Sequence, residues 1–312
     1  YTEAIALTNR EELLANIVRS KYNDPPVFLQ IETISASPSL EFGADSELNV
    51  GEIYDASPAS LAKPRVIYKD DPTILYTPMS GRDFTSRILL PTGLAPMFLM
   101  LNNGFDFPVV ANLLVLSFNN ISNSRHAPEV ERAEFRRIVH SLGSLIDRHL
   151  IHVGTSDNIL SAEGALQLVI ETPALSTPEY RYLADTLGLS GEAGPVDIRI
   201  GLRTEDGGIA MNTRSFLAMI NYLSNFVSVP PEHADTVWQD TVSDPTPPID
   251  IRWSRQRPKD ADTAAFLNGY WFYIAENDVR SQNTLYLLRV LLDMQARTGE
   301  GDGGLQLTLP VQ

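Results

Sequence analysis

Between Leu40 and Val50 the residues alternate in character: Leu40, Phe42, Ala44, Leu48 and Val50 against Glu41, Gly43, Asp45, Glu47 and Asn49, with Ser46 the polar exception on the apolar side. A repeat of two is the period of a β-strand, so one face of this segment is apolar and the other acidic. Eleven residues at about 3.3 Å each span roughly 36 Å, longer than a typical strand. Backbone groups over that length need a partner strand or they leave an open edge. The nearest candidate, 65–77, is interrupted by Lys69-Asp70-Asp71-Pro72 and matches the length only through a bulge or break. The ordinary reading lays the apolar face on the protein's own core with Glu41, Asp45 and Glu47 in water; the alternative pairs the strand with another subunit or an envelope partner, which makes Leu40, Phe42, Leu48 and Val50 candidate interface residues. Ser46 and the lack of flanking aromatic girdles argue against a membrane-spanning strand.

The remaining periodicities predict an α+β chain. A helix is expected over 9–21, where Leu13, Leu14, Ile17 and Val18 make one stripe, and a strand over 27–34. Residues 84–101 read as helix interrupted at Pro91, and 109–118 as helix or strand. The clearest helix is 129–150, with Phe135, Ile138, Val139, Leu142, Leu145 and Ile146 on one face. A domain boundary is expected near 154–157, separating an N-terminal α+β region (1–155) from a C-terminal α+β domain (156–312). Beyond it come a strand at 165–171, a helix opened by Ser176 with Glu179 at capping-box spacing, a strand at 196–204, a short strand through Met211 and a helix at 214–226.

Pro195-Val196-Asp197-Ile198-Arg199 returns as Pro248-Ile249-Asp250-Ile251-Arg252, and each copy leads to an Arg-Ser pair (Arg214-Ser215, Arg280-Ser281) at a helix start. The recurrence predicts a duplicated strand–strand–helix unit, 195–226 and 248–296. Asn268-Gly269 inside the second copy predicts a type I′ hairpin turn. A last strand is expected at 305–309. The β-α-β-β-α order of 165–226 resembles ring-building modules of bacterial secretion systems. The KH nucleic-acid fold has the same order, but its GxxG loop and basic surroundings are absent here.

The net charge of −15 repels phosphate backbones and anionic headgroups, so neither nucleic acid nor a bare membrane surface is an expected partner. Cysteine is absent, which removes thiolate catalysis, disulfides and thiolate metal sites. No apolar window reaches the roughly 18 residues of a spanning helix. Of the five histidines, His140 and His149 fall on opposite faces of one helix, and His149 with His152 lack a third ligand nearby in sequence. Ser60-Leu61-Ala62-Lys63 has SxxK spacing but lies between prolines and without a companion motif, and no nucleotide or zinc-hydrolase signature occurs. No cofactor, metal or catalytic residue is therefore expected. Arg252, Arg255, Arg257 and Lys259 form a basic cluster whose ordinary reading is pairing with the surplus carboxylates. Its functional reading is a docking site for an acidic segment. In the run Tyr270-Trp271-Phe272-Tyr273, Trp271 and Tyr273 share one face of a strand, so Arg255, Arg257, Trp271 and Tyr273 join the candidate interface.

Three stretches carry a further resemblance: Asn16-Ile17-Val18-Arg19 with Tyr22-Asn23-Asp24-Pro25-Pro26-Val27-Phe28-Leu29, Pro72-Thr73-Ile74 with Tyr76-Thr77-Pro78, and Gly269-Tyr270-Trp271-Phe272-Tyr273-Ile274. Together they resemble a family of uncharacterised bacterial envelope proteins, often predicted lipoproteins. The resemblance implies export to the cell envelope, periplasmic or at the outer membrane, and supplies no activity. The lipid-bearing Cys of such proteins is absent from 1–312, so either it lies upstream of Tyr1 or this protein is not lipidated, and such an anchor is the one expected membrane contact. The expectation is a non-catalytic structural or assembly subunit of an envelope complex, partnered by other envelope proteins or by itself. The alternative is an enzyme or small-ligand-binding protein with a scattered site.

Overall fold

Helix α1 (Thr2–Lys21) extends seven residues further toward the N-terminus than the stripe predicts, and Leu13, Leu14, Ile17 and Val18 are all 0% exposed. Asn23-Asp24-Pro25-Pro26 follows it, the residue before proline being pushed out of the helical region. The structure, a computed structural model, describes residues 2–35, 38–45, 63–70, 73–78, 82–155, 166–201, 208–238 and 246–297. The fold is α+β. Two compact units divide the chain: Val27–Met79 is one, and Tyr1–Pro26 with Ser80–Gln312 is the other.

Among the described residues, the smaller unit holds two antiparallel two-stranded ladders, together called the ribbon. Strand β1 (Leu29–Ser35) pairs antiparallel with β4 (Thr73–Pro78), and β2 (Pro38–Asp45) with β3 (Lys63–Asp70). The two ladders share one register: Ser35 is opposite Thr73, and three residues on, Pro38 is opposite Asp70. The expected break at 69–72 therefore separates two ladders without shifting their alignment. The partner of the alternating segment's described part, 40–45, is the nearest one in sequence. Leu40 stands opposite Tyr68, Phe42 opposite Val66 and Ala44 opposite Pro64. The one irregularity is an extra residue, Glu32, between the pairs Ile31–Tyr76 and Thr33–Leu75. Inserting one residue flips the alternation. Leu29 and Ile31 thus fall on the same side of the ladder as Ile34, opposite Pro78, Tyr76 and Ile74. Leu48 and Val50, the Ser60–Ala62 part of the SxxK, and the strand expected at 305–309 lie outside the described residues.

The larger unit begins again with α2 (Arg82–Leu89), α3 (Leu94–Asn102) and α4 (Phe107–Leu114), the first two separated at Pro91 as expected. The ambiguous stretch 109–118 is both things in turn, since α4 passes directly into β5 (Val115–Phe118). After β6 (Ile121–Ser122) comes α5 (Glu129–Asp147), which ends where His149 takes a φ of 57°. Then follow β7 (Ile151–Thr155), β8 (Leu166–Ile170), α6 (Pro178–Leu187), β9 (Gly194–Ile200), β10 (Ile209–Thr213) and α7 (Phe216–Leu223). Thr177 caps α6, taking the Tyr180 N–H on its hydroxyl, one residue beyond the expected Ser176.

Six strands form one sheet in the order β6-β5-β10-β9-β8-β7. This sheet crosses the boundary expected at 154–157, because β7 and β8 on either side of it are adjacent. Strand β10 buries Ile209, Ala210 and Met211 in succession, as a strand covered on both faces must. Phe118 of β5 stacks on Phe135 of α5 with centroids 5.4 Å apart.

A separate sheet, order β11-β13-β12, is built from β11 (Arg252–Ser254), β12 (Ala261–Leu267) and β13 (Tyr270–Ala275), and α8 (Val279–Arg297) follows. Asn268 and Gly269 have φ of 50° and 85°, the two positive values a type I′ turn requires. The two copies of the five-residue repeat lie in different environments. β9 is interior in the six-stranded sheet and runs parallel to β10, whereas β11 is an edge of the small sheet and runs antiparallel to β13. The helix starts differ too. Ser215 caps its own helix through the Ala218 N–H, while Ser281 accepts the N–H of Asp250. Arg214 is 3% exposed and Arg280 is on the surface.

Candidate functional site

The small sheet has two unlike faces. Phe272 and Ile274 of β13 are fully buried, and the Tyr22 ring at the end of α1 meets Phe272 edge-on at 6.1 Å. Trp271 and Tyr273, the alternate residues, fall on the other face. The register adds Ser254 and Phe266 beside Trp271, and Arg252 beside Tyr273. Phe266 is 57% exposed, and its ring lies 5.4 Å from that of Trp271. The Arg257 guanidinium sits over the Trp271 ring at 5.2 Å, inside the range of a cation–π contact.

The sequence-predicted basic cluster is divided by this geometry. Arg252 pairs with Asp250 at 2.7 Å and Arg255 with Glu232 at 2.7 Å. The hydrogen-bonded carboxylates raise Arg252 and Arg255 above the ordinary guanidinium value. Glu232 is lowered first by its own backbone N–H and then by Arg255. Arg257 remains with Trp271. A depression of about 530 Å³ beside them is lined by Arg252, Lys259, Asp260, Tyr273 and Glu276. Trp271, Tyr273 and Arg257 thus come together, and Arg255 is directed to the neighbouring 3-10 turn Pro231–Thr236. Phe266 was not singled out in the sequence; its place opposite Trp271 across the Asn-Gly turn was the signal available.

The opposite rim gathers the other ionisable aromatics. Tyr22 Oη and His233 Nδ1 are hydrogen-bonded at 2.7 Å, and the Tyr270 ring stands edge-on to both His233 (5.2 Å) and Trp253 (5.4 Å). Burial, and secondarily the charge of a neighbouring Tyr270 phenolate, pushes the Tyr22 hydroxyl up from 10.0 to about 12. A phenol raised in the folded state contributes stability that is complete below pH 10.0 and is lost as pH climbs to about 12, because the unfolded chain gives up that proton first. We expect alkaline denaturation to steepen across that window and the last tyrosine step in a near-ultraviolet titration to belong to Tyr22. Tyr22→Phe should remove that step; a titration curve unchanged by the substitution would overturn the assignment.

A second concavity, about 590 Å³, lies between the α3–α4 turn and α8, lined chiefly by Met100, Phe105, Val109, Tyr286, Val290 and Met294. Phe105 and Tyr286 stack at 5.7 Å, and Asp106 is its single ionisable carboxylate. Such a lining favours apolar contact over proton transfer. Among the described residues no group of three or more metal-ligating side chains converges. His149 and His152 stack with centroids 6.3 Å apart, and His152 Nε2 lies 3.6 Å from Glu171. No described helix is long and apolar enough to cross a membrane.

No protein-family model matches this chain, and no curated protein or solved structure matches it either.

Proposed function

We propose that this protein is a structural or assembly subunit of a bacterial cell-envelope complex, joined to other envelope proteins or to its own copies through the β1–β4 ribbon. The observation that carries the reading is the pairing of Leu40, Phe42 and Ala44 with Tyr68, Val66 and Pro64, apolar against apolar at alternate positions of one ladder. Two strands alone are marginally stable in water, and apolar pairs repeated along a ladder gain stability only when something covers them. Assembly supplies that cover. The Glu32 bulge supports the same reading, since it keeps Leu29 and Ile31 in phase with Ile34, Leu40 and Phe42 across a change that would otherwise turn them over. The envelope location rests on the family resemblance of the motifs at 16–29, 72–78 and 269–274.

The test is Phe42→Asp in the full chain, with Leu48→Asp as its companion, read by light scattering. Oligomer or complex mass should fall to that of the single chain. Tryptophan fluorescence should stay native, because Trp238, Trp253 and Trp271 all lie in the larger unit. A native chain that is monomeric at every concentration and forms no complex with envelope proteins would overturn the proposal. So would loss of the tryptophan signal in both variants, which would make the ribbon part of the folding core.

A further inference from the structure

The outward face of the β11-β13-β12 sheet carries a combination that ordinary surfaces of so acidic a chain do not need. With 39 acidic against 24 basic residues, carboxylates are available to most cations, and Arg252 and Arg255 each hold one. Arg257 and Lys259 do not: among the described residues neither is in an ion pair, although Asp260 and Glu276 line the same depression as Lys259. Arg257 instead covers Trp271, whose other ring neighbour, Phe266, is more than half exposed. Tryptophan, tyrosine and arginine are the residue types on which binding energy concentrates, because each offers a large rigid surface with one polar handle.

We propose that this face is a docking surface for an acidic peptide segment bearing apolar side chains at alternate positions. The apolar side chains lie on Phe266, Trp271 and Tyr273, whose rows run along adjacent strands at the spacing of an extended peptide. Its carboxylates meet Arg257 and Lys259, the two cations of this basic cluster that are in no ion pair among the described residues. Asp260 and Glu276 line the same depression as Lys259 and Tyr273 and partly offset the Lys259 charge there. The peptide's acidic residues are therefore directed toward Arg257, which fixes its orientation. Charge complementarity favours this occupant over a polyanionic nucleic acid, whose extended charge the rest of the surface repels. The proposal does not depend on the ribbon, which belongs to the other unit.

The experiment is a fluorescence-anisotropy titration of the full chain with a labelled ten-residue peptide of alternating glutamate and leucine. At low salt a Kd on the order of 10–100 µM is expected. A glutamine–leucine peptide of the same length should bind about tenfold more weakly, as should the acidic peptide to Trp271→Ala, Phe266→Ala or the double variant Arg257→Glu/Lys259→Glu. Phe266→Ala guards against a folding artefact, since that side chain is largely in solvent. Phe42→Asp should bind the peptide as the unaltered chain does, which keeps this outcome separate from failure of the assembly reading. Equal binding of the glutamine–leucine peptide, unchanged binding by all three face variants, or no binding up to about 1 mM would each overturn the proposal.

Discussion

Replacing Arg214 by leucine should cost about 4 kcal/mol of folding stability, the largest effect expected of any single substitution considered. The guanidinium is enclosed at the point where α4 becomes β5. Its Nη1 donates to the carbonyls of Asn112 (2.8 Å), Leu113 (3.2 Å) and Val115 (2.6 Å), its Nη2 to that of Asn123 (2.7 Å), and its own backbone N–H to Leu114 (2.7 Å). The group lies over the Tyr222 ring at 4.1 Å. The carbonyls of Asn112, Leu113 and Leu114 are ones that the end of α4 leaves without an intrahelical donor, and a cation there also meets the negative end of the helix dipole. Burial pushes the guanidinium down to about 10, which leaves it protonated at neutral pH. Leucine fills much of the volume but abandons four buried acceptors, each costing about 1–3 kcal/mol when unsatisfied, less what relaxation and lost desolvation return. Arg214→Lys retains the charge but not the planar fork, so about 2 kcal/mol is expected. Urea unfolding followed by tryptophan fluorescence measures both. A leucine variant within about 1 kcal/mol of the unaltered protein would show that water replaces the guanidinium readily.

The second large effect is expected at Gly143. A glycine inside a helix costs about 1 kcal/mol relative to alanine, so its position in α5 needs a reason. A Cβ there would stand 2.8 Å from Cγ and 3.2 Å from Cδ of Pro108, in the first turn of α4. The proline ring cannot rotate aside as a flexible side chain would, so the helices must part. Overpacking typically costs about 1–3 kcal/mol, which outweighs the helical gain; Gly143→Ala should be destabilised by about 1 kcal/mol and Gly143→Leu by about 3. The contact is with ring atoms that alanine lacks, so Pro108→Ala should rescue Gly143→Ala. Additive losses in the double variant, measured by the same unfolding experiment, would place the cost elsewhere.

Patterns confined to one element were legible in the sequence. The stripe Leu13–Val18 is wholly buried, the six apolar positions of α5 mark its packed face, and Asn268-Gly269 makes the turn that its dipeptide predicts, because helical and strand periods and turn dihedrals are properties of a few neighbouring residues. The outward placement of Arg252 was legible for the same reason: alternation along β11 sets it opposite to the buried Ile251.

Tertiary structure decided the rest, wherever the deciding partner is distant in the chain. That 109–118 changes from helix to strand after Leu114 follows from Arg214, about a hundred residues away, taking the last carbonyls, and from β10 pairing with β5. The five-residue repeat appeared to predict a duplicated unit, but strand environment is set by which neighbour supplies the hydrogen bonds, and β9 and β11 have different neighbours. The division of the basic cluster into paired Arg252 and Arg255 and aromatic-bound Arg257 could not be read locally either, since Glu232 and Trp271 come from other elements. Composition and period fixed which residues are apolar, charged or helical. Which of them meet was settled by strand pairing and helix packing, because those contacts are made across sequence separations that no local pattern encodes.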